Sequence, residues 1–177
     1  LYRGQRLKKL YLESSAQGVG KSRRMAAESA HLAVPKIFDV ERNVWKTTNL
    51  CESVLYISTE LELEEVQTMW LAYVSGVPEH KILNGNYGPG EEQRVDIAVE
   101  LLEQANLYFV QISNYDMDDI EQLIRKYYQI EHVNYVYYDY LSTTIKIMSE
   151  GASKSKISNL REDQILLMFT TRLKDLC

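Results

Sequence analysis

The chain has 177 residues, a length that suits one domain with a buried core. Hydrophobic residues make up 45% of it and charged residues 25%, a composition that excludes an intrinsically disordered chain. The formal net charge of −5 argues against a strongly basic nucleic-acid-binding domain, although a local basic loop remains compatible with it.

The sequence lacks the usual signals for membrane insertion and export. No apolar run approaches the roughly 18 to 20 residues that a membrane-spanning helix needs, and the residues after Leu1 form no signal peptide. The chain begins without an initiator methionine, which predicts that it is a fragment of a longer protein. Cys51 and Cys177 lie far apart and form no metal-binding or disulfide pattern, so reduced thiols are expected.

Strand and helix patterns alternate along the chain. In chain order, the predicted elements are a strand at 9–13, a helix at 20–33, a polar connection at 36–49, a strand at 53–58, a helix at 62–75, a loop at 84–90, a helix at 91–105, a strand at 107–112, a helix at 117–130, a strand at 133–138, a flexible loop at 149–158 and a helix at 159–176. This alternation predicts an α/β fold with a mainly parallel sheet flanked by helices.

Single residues mark where several helices begin and end. Pro35 ends the first helix, because proline has no backbone donor, and Gly76 is the predicted C-cap of the second. Asp116, Asp118 and Asp119 stand at the start of the fourth helix, where carboxylates complement the positive end of the helix dipole. The thirteen tyrosines concentrate in predicted strands and helices, which favours core packing as their role.

The strongest local motif lies between the first strand and the first helix. It fits the phosphate-loop pattern G-x-x-x-x-G-K-[ST], with serine at the first glycine position, and comprises Ser15, Ala16, Gln17, Gly18, Val19, Gly20, Lys21 and Ser22. Arg23 follows directly, and its predicted surroundings are a bound nucleotide, a neighbouring subunit or solvent. A simple glycine turn before a helix is the alternative interpretation of the motif.

Each residue type in this motif has a physical role in binding phosphate. Gly18 and Gly20 allow sharp backbone turns that present successive N–H groups to an anion. The helix that follows directs its positive end at the same anion. Lys21 provides a cation for the terminal phosphates, and Ser22 provides a hydroxyl for magnesium.

Two carboxylates follow predicted strands whose ends should face this loop. Asp139 ends the strand 133–138 in the manner of a Walker B motif and is predicted to bind magnesium, although strands often end in aspartate. Tyr140, not glutamate, comes next, so the catalytic acid must come from elsewhere. Glu60, at the end of the second strand, is the candidate for activating the attacking water. The alternative is that it belongs to an acidic helix start together with Glu62, Glu64 and Glu65.

Together these motifs resemble the ATPase domain of DnaB-type replicative helicases, within the RecA-like P-loop NTPase superfamily. The segment 56–61 is similar to the family's phenylalanine-serine-leucine-glutamate-methionine segment, and Asp139, Tyr140 and Leu141 are similar to its aspartate-tyrosine-leucine Walker B motif. The helix at 161–176 resembles the family helix that leads to the next core strand. The resemblance covers about residues 7–176.

The resemblance implies a RecA-like ATPase that uses ATP and Mg²⁺ and moves along single-stranded DNA as a homo-hexameric ring, in the cytoplasm of a bacterial or phage-infected cell. It implies catalytic roles for Lys21 and Glu60 and magnesium ligation by Ser22 and Asp139. Ser15, Gly18 and Ser142 differ from the residues that the family usually has at these positions. The domain, taken as residues 1–177, is expected to be incomplete on its C-terminal side and weakly active alone, because the family's arginine finger would lie further on.

Basic residues follow the Walker B strand and are predicted to contact DNA phosphates: Lys146, Lys154, Lys156 and Arg161. No aromatic residue interleaves them, so base stacking is not indicated, and a solvated loop is the alternative. Two rival functions also remain open. One is a RecA-class ATPase in regulation or recombination, and the other is a nucleotide-dependent assembly switch without helicase activity.

Overall fold

A computed structural model describes residues 6–14, 16, 18–141, 146 and 161–177. The helices are α1 Lys21–Ala33, α2 Leu63–Ser75, α3 Glu79–Asn84, α4 Glu91–Glu103, α5 Met117–Glu131 and α6 Glu162–Asp175. The strands are β1 Lys36–Asp39, β2 Val44–Thr47, β3 Val54–Ser58, β4 Leu107–Gln111 and β5 Tyr135–Asp139. None of the helices in the described part of the chain combines the length and the apolar character that crossing a bilayer requires.

The centre of the fold is a parallel sheet in the order β4-β3-β5. Val54 pairs with Leu107 on one side and Tyr135 on the other, and this register continues to Ser58 opposite Gln111 and Asp139. All five residues of β3 are buried, because the strand has a neighbour on each edge and side chains packed on each face. The predicted α/β fold with a parallel sheet flanked by helices is confirmed.

Alternation along β3 divides the core into two faces. Val54 and Tyr56 join a cluster with small and aromatic residues of α1, α2 and α4, among them Ala30 and Trp70. Leu55 and Ile57, on the opposite face of β3, pack instead with residues of α5. A third cluster joins α5 to α6 through residues such as Phe169. The sheet therefore lies between two helical layers, as the two-residue period of a strand requires.

The hairpin formed by β1 and β2 replaces the polar connection predicted at 36–49. Its two strands pair antiparallel, and the rings of Phe38 and Trp45 meet edge to face with their centroids 5.4 Å apart. The guanidinium of Arg94 lies 4.2 Å from the centre of the Phe38 ring and so attaches the hairpin to α4. Gly76, at the end of α2, has φ +66°, and a Cβ there would stand 2.5 Å from a methyl carbon of Val40.

The buried strand predicted at 9–13 is wrong. These residues have no strand pairing, and Leu12 is 63% exposed. A strand needs backbone partners along its edge, and the described residues place none beside this segment. Instead, Leu10 packs on the cluster between α5 and α6, and Glu13 pairs with Arg24 of α1.

Glu91, the first residue of α4, interacts with three neighbouring groups. The Nζ atom of Lys81 lies 2.9 Å from each oxygen of Glu91, and the Gly88 N–H donates to the same carboxylate at 2.6 Å. Arg94 adds a weaker ion pair at 3.7 Å. The hydrogen bonds from Lys81 and from the Gly88 backbone, in that order, hold the pKa of Glu91 below its ordinary value. This carboxylate thereby connects α3, the loop that contains Gly88, and α4.

We expect Glu91→Gln to lower the melting temperature at neutral pH and to lose this effect in acid. A carboxyl group with a lowered folded-state pKa stabilises the fold above its unfolded pKa, and that contribution disappears as the pH falls through the lowered pKa. Thermal unfolding of wild type and variant across the acid range measures the difference. The control is Glu92→Gln, an exposed position in the same helical turn, where little change is expected at any pH.

Candidate active site

The loop before α1 has the backbone that its glycines predict. Gly18 has φ +79° and Gly20 has φ +90°, both in the left-handed region that favours glycine. A Cβ at either position would meet no heavy atom within 4 Å, so the backbone here borders open space. Ser15 and Gln17 lie outside the described residues, whereas Ala16 and the exposed Val19 are described.

The start of α1 has the character of an anion site. Gly20 occupies the N-cap without a side chain to satisfy the first N–H groups, and the first turn contains no acidic residue. Its N–H groups and the positive end of the helix dipole are therefore suited to a bound anion. Lys21 folds over the loop and donates from Nζ to the Ala16 carbonyl at 3.3 Å, while Ser22 beside it is partly buried.

Arg23 forms a two-point ion pair with the first residue of α3. Its Nε and Nη2 atoms lie 2.8 and 3.1 Å from the two carboxylate oxygens of Glu79. The hydrogen bond and charge of Glu79 raise the pKa of Arg23. The predicted environments of this side chain were a bound nucleotide, a neighbouring subunit or solvent. The pair with α3 was not predicted, and it links α1 to the segment that precedes α4. Sequence spacing could not identify this partner, because the two residues lie far apart in the chain.

A buried tyrosine holds the carboxylate at the end of β5. Asp139 is only 4% exposed, and the Tyr56 hydroxyl donates to its Oδ2 atom at 2.8 Å. Tyr56 is fully buried between Trp70 and Phe109, whose ring centroids lie 6.0 and 6.2 Å from its own. Burial first, and then the charge of Asp139, raise the pKa of Tyr56, so its hydroxyl remains a protonated donor.

No functional role was predicted for Tyr56 from the sequence. The available signal was a hydroxyl within an otherwise apolar strand, two residues before Ser58. In the register of β3 and β5, Ser58 is the partner of Asp139, so the tyrosine ring spans two residue positions to reach the carboxylate.

Contacts between the two chain segments continue past the last residues of β3 and β5. The Thr59 N–H donates to the Asp139 carbonyl at 2.9 Å, and the Tyr140 N–H donates to the Thr59 hydroxyl at 3.3 Å. Beyond them, the Tyr140 hydroxyl donates to Oε1 of Glu60 at 2.9 Å. Glu60 and Asp139 therefore stand at the same edge of the sheet, one exposed and one buried.

The turn that carries Glu60 is separate from the acidic start of α2. The Ser58 hydroxyl closes the turn by donating to the Leu61 carbonyl at 2.8 Å and accepting from the Leu61 N–H at 2.9 Å. Glu62 and Glu65 form a capping box at the start of α2. Glu60 takes no part in that box and instead accepts a hydrogen bond from the Tyr140 hydroxyl.

The two predicted magnesium ligands are both oxygen donors. Among the described residues, no group of three or more His, Cys, Asp and Glu side chains could hold a metal ion. Ser22 and Asp139 instead offer one hydroxyl and one carboxylate. Mg²⁺ in phosphate sites is typically bound through one or two protein oxygens, with substrate phosphates and water completing its octahedral shell. The donor set therefore fits a magnesium ion that arrives with a phosphate ligand.

The predicted DNA-contacting residues are only partly described. Lys146 lies 3.5 Å from a carboxylate oxygen of Asp119, and Arg161 forms two contacts of 3.0 and 2.6 Å with Asp163. Lys154 and Lys156 lie outside the described residues. Both described cations are exposed and near carboxylates, so a phosphate would have to compete with these acids.

A shallow groove of about 540 Å³ lies between the hairpin and the end of α2. It is lined by Phe38, Val40, Ala72, Tyr73, Gly76, Val77, Pro78 and Glu79. Of the predicted site residues that the structure describes, none borders it. The candidate site is therefore defined by the loop before α1 and the sheet edge, not by this groove.

We expect Tyr56→Phe to lower the free energy of unfolding by about 1–3 kcal/mol, because it leaves a buried carboxylate oxygen without this donor. Chemical denaturation measures the loss. Tyr108→Phe is the matched control, since Tyr108 donates to Glu131 at 2.8 Å in a more accessible position where water can replace it. Equal losses in the two variants would contradict the importance assigned to the buried pair.

Comparison with known proteins agrees with these features. Residues 3–176 match the family described as the DnaB-like helicase C terminal domain, which confirms the resemblance drawn from the motifs. The chain is also similar to the SPbeta prophage-derived uncharacterized protein YorI of Bacillus subtilis (strain 168), with 40% identity over 177 residues. That match covers 100% of this chain and 35% of the relative, so the chain spans about a third of the relative's length.

Proposed function

The chain belongs to the family of DnaB-like helicase C-terminal domains, and we propose that it is the ATP-binding and ATP-hydrolysing motor of a DNA helicase that moves along single-stranded DNA as a hexameric ring. The observation that carries the proposal is the arrangement of Asp139 and Glu60. Asp139 is the last residue of β5, Glu60 lies two residues beyond the end of the adjacent parallel strand β3, and α1 packs on the same sheet. Ligands of open α/β sheets bind at the carboxyl ends of the strands.

Phosphate binding is assigned to the loop before α1. Its glycines are left-handed and border open space, and the N-terminus of α1 follows them, so backbone N–H groups are available there for an anion. The ammonium group of Lys21 lies on the Ala16 carbonyl of this loop, and a phosphate oxygen would replace that carbonyl as its acceptor. Ala16, Val19 and the other loop residues contribute backbone rather than side-chain contacts.

Ser22 and Asp139 are the proposed magnesium ligands. When bound, Mg²⁺ supplies positive charge that stabilises the phosphates during transfer. Tyr56 orients the Asp139 carboxylate from beneath while leaving its second oxygen, Oδ1, available for the ion or for a water bound to it.

Glu60 is the proposed acceptor for the proton of the attacking water. Its exposed carboxylate stands beyond the end of β3, accepts a hydrogen bond from the Tyr140 hydroxyl and is not used in capping α2. An unprotonated carboxylate in this position can orient a water molecule and accept its proton. An assembly switch without hydrolysis would not require such a group, which favours the hydrolytic function over that alternative.

Substitutions of Lys21 and Glu60 separate binding from hydrolysis. Lys21→Ala should abolish ATP binding, whereas Glu60→Gln should retain binding and reduce turnover by about 10²–10⁴-fold, the usual contribution of a general base. Fluorescent-nucleotide titration and phosphate release measure the two effects. Glu64→Gln is the control, because Glu64 is an exposed carboxylate at the start of α2 outside the capping box. Unchanged turnover in Glu60→Gln would remove Glu60 from the mechanism.

Single-stranded DNA binding should depend on salt. If Lys146, Lys154, Lys156 and Arg161 all contact phosphates, the logarithm of the affinity should fall with the logarithm of salt concentration with a slope near −3, at about −0.7 per contact. Filter binding in the presence of nucleotide measures the slope. Lys146→Ala should make it less negative by about 0.7, whereas Lys174→Ala, an exposed lysine on α6, should leave it unchanged. A flat dependence would contradict the phosphate contacts.

A further inference from the structure

We propose that Tyr140 is a positioning residue that holds the Glu60 carboxylate in place for hydrolysis. This inference rests on the proposed function, in which Glu60 orients the attacking water. Tyr140 itself contacts neither nucleotide nor water in this proposal; it acts through its hydrogen bond of 2.9 Å to Oε1 of Glu60.

The backbone beyond the sheet brings these two side chains together. The Thr59 N–H bonds to the Asp139 carbonyl at 2.9 Å, which extends the pairing of β3 and β5 by one step. The Thr59 hydroxyl then lies 3.3 Å from both the N and the O atom of Tyr140. Thr59 joins the two backbones. Glu60, the residue after Thr59, therefore lies within reach of Tyr140, the first residue after β5.

A fixed donor changes what a glutamate at this position can do. A glutamate side chain loses rotamer freedom when it is ordered. An exposed glutamate without a fixed partner would sample many orientations. The bond from Tyr140 occupies Oε1 and leaves Oε2 for a water molecule. Holding a reacting group within about 1 Å of its productive position affects rate strongly, so this restraint favours catalysis.

The charges around Tyr140 keep its hydroxyl a donor. The hydrogen bond to Glu60 is the largest influence that raises the pKa of Tyr140, followed by the charge of Glu60 and partial burial. Tyr115 and Asp139 contribute smaller effects in the same direction. At neutral pH the phenol is therefore protonated and can donate to the carboxylate.

The first test is a double-mutant cycle in steady-state ATP hydrolysis. Tyr140→Phe should lower kcat by about tenfold with KM unchanged, because it loosens the base without touching the phosphate loop. In the Glu60→Gln background the same change should have no further effect, since the group that it positions is already disabled. Tyr128→Phe, an exposed tyrosine on α5, is the matched control and should match wild type.

The second test uses the protein without nucleotide. In protein labelled with ¹³C at the tyrosine ζ carbon, the Tyr140 resonance, identified by its absence in Tyr140→Phe, should change its chemical shift in Glu60→Gln, because a neutral amide replaces the carboxylate that accepts its hydrogen bond. An unchanged chemical shift would overturn the contact. If Tyr140→Phe does not fold, the tyrosine resonance that shifts in Glu60→Gln still provides the measurement.

The outcomes separate this inference from the function on which it rests. Full hydrolysis by Glu60→Gln would overturn the role of Glu60 and the positioning role with it. Loss of hydrolysis in Glu60→Gln, combined with wild-type turnover in Tyr140→Phe, would overturn only the role of Tyr140. An equal loss from Tyr140→Phe in both backgrounds would identify a purely structural effect and would also overturn it.

Discussion

The parallel pairing of β3 with β5 is the constraint on which the candidate site depends. Its register sets Ser58 beside Asp139 and so determines that the residues beyond, Glu60 and Tyr140, can meet. A shift of one residue would exchange the two faces of β3, turning Tyr56 away from the helical layer that surrounds it. Packing of the apolar side chains on both faces therefore also fixes the geometry of the polar site.

The sequence predicted those elements whose formation depends on local pattern. The run 53–58 is continuous and apolar, as a strand covered on both faces should be, and the glycines at 18 and 20 marked a left-handed loop. The segment 9–13 has the same apolar character but lacks a paired neighbour in the described residues. The hairpin strands at 36–47 are stabilised by side chains that are distant in the chain, such as Arg94 over Phe38. The polar sequence of the hairpin gives no sign of these contacts.

The candidate site shows the same division between local and long-range information. Glu60 and Asp139 could be selected because each follows a predicted strand, which requires no knowledge of strand order. Their tyrosine partners could not, because those contacts depend on β5 lying next to β3 rather than beside β4. The prediction that the tyrosines serve in core packing is therefore correct for the ring of Tyr56 but does not account for its hydroxyl.

The choice of a tyrosine rather than a cation beside Asp139 has an electrostatic consequence. A buried carboxylate is costly unless it is hydrogen-bonded, and either a lysine or a tyrosine could satisfy it. An ammonium group would also neutralise the carboxylate and compete with any metal ion for it. The protonated hydroxyl of Tyr56 donates at 2.8 Å without adding positive charge. The carboxylate thus gains a fixed orientation while its attraction for a divalent cation is retained, as the magnesium role proposed for Asp139 requires.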